Sequence, residues 1–474
     1  MKTFLRSFCG LTLSIMMLLF CGWRYDMMPD MSGINDVLQS AMGQIDELTG
    51  LIEGQIPNPP VEGSDEPAPQ IPFEQIEPVE SLNAEFEQTL YAAVTSHQEK
   101  VNVSQFGLSG EDFQRSMTQF FFNNPELFYV STAYYVNKPS ENAAVAQVQL
   151  IYLYEKDEIP AMVATYEQEL AKIVADAPKT GSDFDKILYL HDYFVQNFAY
   201  DYEGLAAEQA TGKNQAIRDT YRFFTQKIGV CQAYMLGLIA AAEEIGLACI
   251  PVTSDGMGHA WNLVQVDGEW YHIDVTWDDA GGEGAPVYPT YVSYDHFLLS
   301  DEAMYRSDEE RQKGWETTEL AESTLYDESA WRNASTPMLK LGDTYYCLVY
   351  YRSNPAQSGF VAIMSGSDVE MTVLKDLPAV RWAPPGSSTS YYPYAWGTLM
   401  EFGDVLVFNG DSGIYMYGER AGLVGVWPVV DLTSELSGMQ IFGILDIAED
   451  GTLTYVAAMD HSGEYTTKTV DITP

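Results

Sequence analysis

Positive charge is scarce in this chain. It carries 24 Lys and Arg against 68 Asp and Glu, a formal net charge of −44 over 474 residues. The acids are spread along the sequence and do not gather in one tail. Such a surface repels phosphate backbones and anionic lipid. Nucleic acid is therefore excluded as a partner, and a membrane is reachable only through the N-terminal segment. Cysteine is scarce too, with Cys9, Cys21, Cys231, Cys249 and Cys347 alone. The first two fall in an N-terminal apolar run. Three remain, an odd number, so no disulfide framework is built and at least one thiol is free. No Cys or His spacing fits a zinc site, and no P-loop or dinucleotide fingerprint occurs, so neither a metal nor a cofactor is expected. Asp278, Asp279 and Glu283 form an acidic loop without EF-hand spacing and are read as a solvated turn. Beyond Trp23 no stretch is long and apolar enough to span a membrane.

What is present divides the chain into five parts. At 474 residues two to three domains are expected. In residues 1–24, Lys2 and Arg6 precede an apolar run from Phe8 to Trp23, shorter than the roughly 20 residues of a spanning helix. The segment is a signal peptide or an N-terminal anchor, which places the protein outside the cell or at its surface. Residues 25–82 read as a short helix, over 31–55, followed by a linker rich in Pro and Glu. Residues 83–180 read as an α+β lead-in domain. Helices are predicted from Asn83 to Lys100 and after a capping-box pair at Ser109 and Asp112. Paired strands follow in Glu126–Val136 and Ala144–Tyr154, then helices over 157–176 and 183–198. Residues 316–474 read as an all-β domain. Turn pairs recur at Gly342-Asp343, Gly403-Asp404, Asn409-Gly410 and Asp450-Gly451. Three hairpin units are too few to close a propeller ring, so an open curved sheet or a sandwich is expected. Tyr391, Tyr392, Tyr394 and Trp396 are read as packing of this β core, as is Cys347.

Residues 181–315 hold the chemistry. Gly229-Val230-Cys231-Gln232-Ala233-Tyr234 opens an apolar helix reaching Leu247, with Gly246 suited to its end. Cys231 is thus placed at a helix N-terminus, where unpaired N–H groups and the helix dipole favour a thiolate. Asp267-Gly268 is a strong two-residue hairpin turn between strands predicted at 260–266 and 269–277. If Val266 pairs with Glu269, Trp261 faces Asp274 and His259 faces Thr276. His259 and Asp274 are then diagonal neighbours on one face, about 7–8 Å apart at the backbone. Cys231 is the candidate nucleophile, His259 its base and later the acid for the leaving amine, and Asp274 the group that orients the imidazole. His272 shares that face and either lines the cleft or sits beside it in the sheet. His191 reads as a packed helix residue, and Cys249 as a buried strand residue. His97, His296 and His461 have no partner legible in sequence.

The three motifs, Gly229 to Tyr234, Gly258-His259-Ala260-Trp261-Asn262 and Trp270 to Asp279, resemble those of the transglutaminase-like superfamily, in particular its exported bacterial members. Leu190 to Tyr193, Tyr200 to Tyr202 and Asp295 to Glu302 extend the likeness to a quarter to a third of the chain. The resemblance implies an α+β fold with a papain-like core, in which a helix carries Cys231 and a sheet carries His259 and Asp274. It implies acyl transfer on peptide or protein amides, cell-wall peptides among them. The family includes both amine acceptors, which give crosslinks, and water, which gives hydrolysis. Gln232, Trp261 and His272 are the candidate substrate-binding residues. Ala233 departs from the Gly common after Cys-Gln and is expected to narrow the acyl pocket. An inactive relative that keeps the fold as a binding module is the alternative.

Overall fold

Side-chain caps and buried stripes set the first helices. Asn83 Oδ1 accepts from the N–H groups of Glu85 and Phe86 and starts α1 (Ala84–Thr95), whose Phe86, Leu90, Ala93 and Val94 are buried. The helix stops five residues short of Lys100. The Thr95 and Ser96 hydroxyls bond back to the Tyr91 and Ala92 carbonyls, and His97 takes a positive φ of 60°. Lys100–Asn102 forms strand β1 instead. Ser109 precedes α2 (Gly110–Asn123) but makes no side-chain cap, so the expected capping box is absent. Asp112 turns to Arg115 at 3.5 Å. Strands β2 (Val130–Asn137) and β3 (Gln147–Tyr152) pair antiparallel as predicted, with β1 on the other edge of β3. Helices α3 (Ile159–Ile173) and α4 (Asp183–Asn197) follow, the second opened by a true capping box of Ser182 and Asp185.

This computed structural model describes residues 73, 76–140, 143–211, 215–279, 292–351, 357–377, 397–432, 439–459 and 465–473. The N-terminal signal or anchor, the helix over 31–55, most of the linker, Glu283, Tyr391, Tyr392, Tyr394, Trp396 and His461 lie outside those residues. Among the described residues no helix is long and apolar enough to cross a membrane. The end of the expected linker is laid down on the body. Phe73 meets Tyr305 edge to face at 5.4 Å, and Val79 N–H donates to the Thr317 carbonyl at 2.9 Å.

After α4 come β4 (Ala199–Tyr200), α5 (Tyr202–Thr211), α6 (Thr220–Gln226), β5 (Ile228–Gly229) and the long α7 (Cys231–Glu244). Ten of its residues are buried, from Ala233 to Ala242. Gly246 ends the helix segment with a φ of 77°, a conformation glycine adopts without penalty. The antiparallel sheet β6 (Cys249–Ser254), β7 (His259–Val266), β8 (Glu269–Ile273), β9 (Phe297–Leu299) packs against α7 through Ala260, Asn262 and Val264. Asp267 and Gly268 take φ of 51° and 91°, and Val266 pairs with Glu269 as predicted.

Among the described residues the C-terminal region holds three antiparallel meanders in chain order. The first is β10 (Leu339–Leu341), β11 (Thr344–Val349), β12 (Gly359–Ile363) and β13 (Thr372–Asp376). The second is β14 (Leu399–Phe402), β15 (Val405–Gly410), β16 (Gly413–Arg420) and β17 (Leu423–Asp431). The third is β18 (Met439–Ile447), β19 (Thr452–Met459) and β20 (Tyr465–Asp471). They are separate sheets with side-chain clusters between successive ones, not a single curved sheet. Leu406 and Phe408 of β15 cluster with Leu348 and Phe360 of the first sheet. Val407, one residue between them, turns the other way to Ile441 and Ile444 of the third. The other face of the first sheet, with Tyr345, Cys347 and Val361, joins the main core beside Phe184, Phe297 and Trp331. Three of the four expected turns are present. Asn409-Gly410 is not one. Asn409 is a buried strand residue whose Oδ1 accepts from Thr398 N–H at 2.8 Å and its hydroxyl at 2.6 Å. Gly410 pairs with Gly413, so the turn falls at Asp411-Ser412.

Candidate active site

Backbone placement comes first. Tyr200 in β4 pairs in parallel with Gly229 in β5, and Asp201 N–H donates to the Gly229 carbonyl at 2.9 Å. A Cβ on Gly229 would lie 2.6 Å from the Ala233 methyl and 2.8 Å from the Phe223 ring, so only glycine fits there. Cys231 is the first residue of α7, and Val230 before it supplies no side-chain cap. The first N–H groups of the helix are left for other acceptors. Ala233 is fully buried against Gly229, so its methyl lies in the core and does not narrow a pocket.

His259 is the first residue of β7. Asp274 lies just past β8, which ends at Ile273 and not at Trp277 as predicted. The reason is local. Asp274 Oδ1 accepts from the N–H groups of Thr276 and Trp277, both at 3.2 Å, and caps the short helix α8 (Val275–Asp278). Its Oδ2 meets His259 Nε2 at 2.7 Å. The imidazole is also hydrogen-bonded to the Cys231 thiol. The structure thus brings Cys231, His259 and Asp274 together in that order.

Their electrostatics run in one direction. Burial pushes the Cys231 thiol up, but the hydrogen bond and positive charge of His259, with the Ala260 N–H, outweigh it and lower its pKa overall. Burial pulls His259 down, yet the Asp274 charge and hydrogen bond raise it to about 9. Burial pushes Asp274 up, and the charges of His259 and Arg311 hold it well below the usual carboxylate range. The arrangement favours a thiolate–imidazolium pair beside a permanent carboxylate. The other two thiols go the opposite way, since burial pushes Cys249 and Cys347 up.

The implied substrate contacts fare differently. Trp261 is 1% exposed and stacks on the His259 ring at 5.6 Å. Its Nε1 donates to His272 Nδ1 at 2.9 Å, and His272 Nε2 meets Asp301 Oδ1 at 2.8 Å. His272 is wholly buried. Neither residue reaches a cleft. Trp261 packs on the imidazole and His272 holds Trp261, so both are buried supports where substrate contacts were expected. Gln232 is half-buried and lines a small pocket of about 70 Å³ beside the start of α7, with Phe121, Phe128, Arg218 and Leu236.

Three features of the site escaped the sequence reading. Tyr200 places its hydroxyl against the backbone N–H of Cys231. Arg311, wholly buried, donates from Nη2 to Asp274 Oδ2. The third is a buried cluster behind the site. His191 bridges Asp192 at 2.9 Å and Asp278 at 3.1 Å, and Asp278 also meets His296 Nδ1 at 3.1 Å. Burial pulls His191 down, but the two carboxylates raise it to about 9. Asp278 is thus fully engaged, and Asp279 accepts from Tyr234 at 2.6 Å, so neither is a solvated turn residue. Among the described residues no group of three or more His, Cys, Asp or Glu is arranged to hold a metal. Tyr200 had a signal, the Tyr200-Asp201-Tyr202 run, whereas Arg311 had none.

Residues 168–275 match the family described as the transglutaminase-like superfamily. The chain is similar to the kyphoscoliosis peptidase of Mus musculus, 24% identical over 38% of this chain and 30% of that protein. It is similar to the kyphoscoliosis peptidase of Homo sapiens, 25% identical over 33% of this chain and 25% of that protein. It therefore spans less than a third of these curated relatives. A solved structure described as "Crystal structure of a TGase" covers 42% of this chain and 49% of its own at 16% identity, with a TM-score of 0.21. The matching segment runs from the end of α3 through the helix of Cys231 to the turn after Asp274, and over it the chain is similar to a transglutaminase-like core.

Proposed function

We propose that the chain is an exported thiol acyl-transfer enzyme acting on peptide or protein amides, with Cys231, His259 and Asp274 as its catalytic group. The observation that carries this reading is the unbroken line from a helix-terminal thiol to an imidazole to a buried carboxylate. The Cys231 sulfur attacks the amide carbonyl carbon, and its proton passes to His259. The C–N bond breaks as His259 returns that proton to the leaving amine, and a thioester remains. A primary amine or water then attacks the thioester, releasing an isopeptide or an acid and restoring the thiol. The peptidase named among the relatives favours water. Cell-wall peptides and surface proteins are the proposed substrates.

The test uses p-nitrophenyl acetate as an acyl donor, with and without a primary amine. Mass spectrometry of the intact protein is expected to find one acetyl group on Cys231, cleared by water and faster by an amine if crosslinking is the function. Acetylation at the slow rate of an ordinary free thiol would overturn the reading and leave a binding module.

Tyr200 has a part in this scheme. Its oxygen sits at the Cys231 N–H, where the carbonyl oxygen of a tetrahedral intermediate would gather charge. Its own proton can then serve that oxygen. Tyr200→Phe is expected to slow acylation by about 10²–10³-fold, as loss of one such donor does elsewhere. Single-turnover acylation checks it, with an unchanged melting temperature as control.

A further inference from the structure

Arg311 lies on the 3-10 turn Glu309–Lys313, beyond the family-matched segment, and its side chain is fully closed off from solvent. The guanidinium is held between two indole faces, 4.4 Å from the ring of Trp261 and 4.1 Å from that of Trp277. It shares Asp274 Oδ2 with His259 Nε2. Its Nε and Nη1 are buried without a protein partner. A buried cation with unsatisfied N–H groups is a poor way to fill space, and an apolar side chain between the indoles would be cheaper. The position therefore points to chemistry.

We propose that Arg311 is a positioning residue for the Cys231 chemistry, sharing one oxygen of Asp274 with His259 and so setting how strongly the carboxylate holds the imidazole. The proposal rests on the acyl-transfer reading. With Arg311 present, thiolate, imidazolium, carboxylate and guanidinium sum to zero charge. Without it the buried group carries a net negative charge, which opposes loss of the thiol proton and ties the imidazolium proton more tightly. A tighter proton is a poorer one to give to the leaving amine.

The surrounding charges leave this role to Arg311. From β8, His272 is held between the Trp261 N–H and Asp301, which lies at the start of the next helix. Behind Trp277, His296 is matched by Asp278. On the turn itself, Glu310 pairs with the exposed Lys313, and Asp308 caps the turn by accepting from Glu310 N–H. Glu309 is exposed. Among these groups only the Arg311 guanidinium forms an ion pair with the Asp274 oxygen that meets His259.

The test is the pH dependence of Cys231 alkylation by iodoacetamide in the full chain, read by mass spectrometry. It is compared for wild type, Arg311→Gln and Arg311→Lys. Arg311→Gln is expected to move the inflection upward by about one pH unit, so alkylation on the acid limb is about tenfold slower. Arg311→Lys keeps the charge and is expected to stay within about 0.3 unit of wild type. A folded Arg311→Gln, judged by near-UV circular dichroism, with the wild-type inflection would overturn the proposal. If that variant does not fold, Arg311→Lys decides, because a shift of a full unit there would show that charge is not the device. Alkylation needs no amide substrate. A shifted inflection in a protein that never forms an acyl-enzyme would leave Arg311 its role and remove the acyl-transfer reading alone.

Discussion

Cys231→Ala is expected to abolish acyl transfer, by on the order of 10⁴-fold or more, while the protein folds as before. Alanine is the best helix former, and Cys231 is a half-buried helix start, so little packing is lost. Two internal controls come with the chain. Cys249→Ala and Cys347→Ala are expected to keep the rate per folded molecule, because burial pushes both thiols up and neither has the hydrogen bond to His259 that Cys231 has. Cys347 is buried at 0% exposure in the first C-terminal sheet, so its loss is felt in the melting temperature and not in turnover. Acyl-enzyme formation by all three variants, set against their melting temperatures, is the measurement. Full turnover by Cys231→Ala would sink the assignment.

The second large effect belongs to Asp274. Asp274→Asn keeps the shape and an Oδ1 acceptor for the α8 cap, but it offers His259 Nε2 an amide and presents the wrong tautomer. A rate loss of about 10⁴ is the precedent for that change in a triad. Stability falls as well, since Arg311 is left as a buried cation facing a neutral group, a defect worth about 3–5 kcal/mol. The rate must therefore be taken per folded molecule, from a denaturation curve run alongside. His259→Ala with Asp274→Asn is expected to be little slower than His259→Ala alone, because the carboxylate acts through the imidazole. His272→Gln is the informative contrast. It disturbs the Trp261 brace and the Asp301 bond, so it is expected to cost stability and far less rate. A mild Asp274→Asn beside a severe His272→Gln would reassign the proton-handling histidine.

These expectations rest on geometry that was partly legible in the chain. The Asp267-Gly268 turn fixed the pairing of β7 with β8, and counting outward placed Asp274 beside His259. The count failed only at its end. There an aspartate side chain offered the backbone a cap, and the strand stopped at Ile273. The same kind of side-chain competition misled the reading of Asn409-Gly410, where Thr398 claims the amide oxygen. Arg311 was illegible for another reason. Its partner lies 37 residues away, and its neighbours Asp308, Glu309 and Glu310 suggest a solvated turn. Trp261 and His272 were placed on the correct face, but sequence does not say that this face is covered. Met304 and Trp315 of the following segment cover it.

Arg332 carries a consequence for anyone moving this chemistry between proteins. Its guanidinium donates to the carbonyls of Tyr294, Phe297, Leu298, Tyr326 and Asp327. That cradle holds the backbone around His296, whose carbonyl in turn receives the Asp274 N–H. A transplant of residues 168–275 alone would take along the sulfur, the imidazole and the carboxylate. It would leave behind the guanidinium that shares the carboxylate and the cradle that anchors its main chain. Recombination points for chimeras therefore belong downstream of β13, where the first C-terminal sheet that packs on Phe184 and Trp331 is complete.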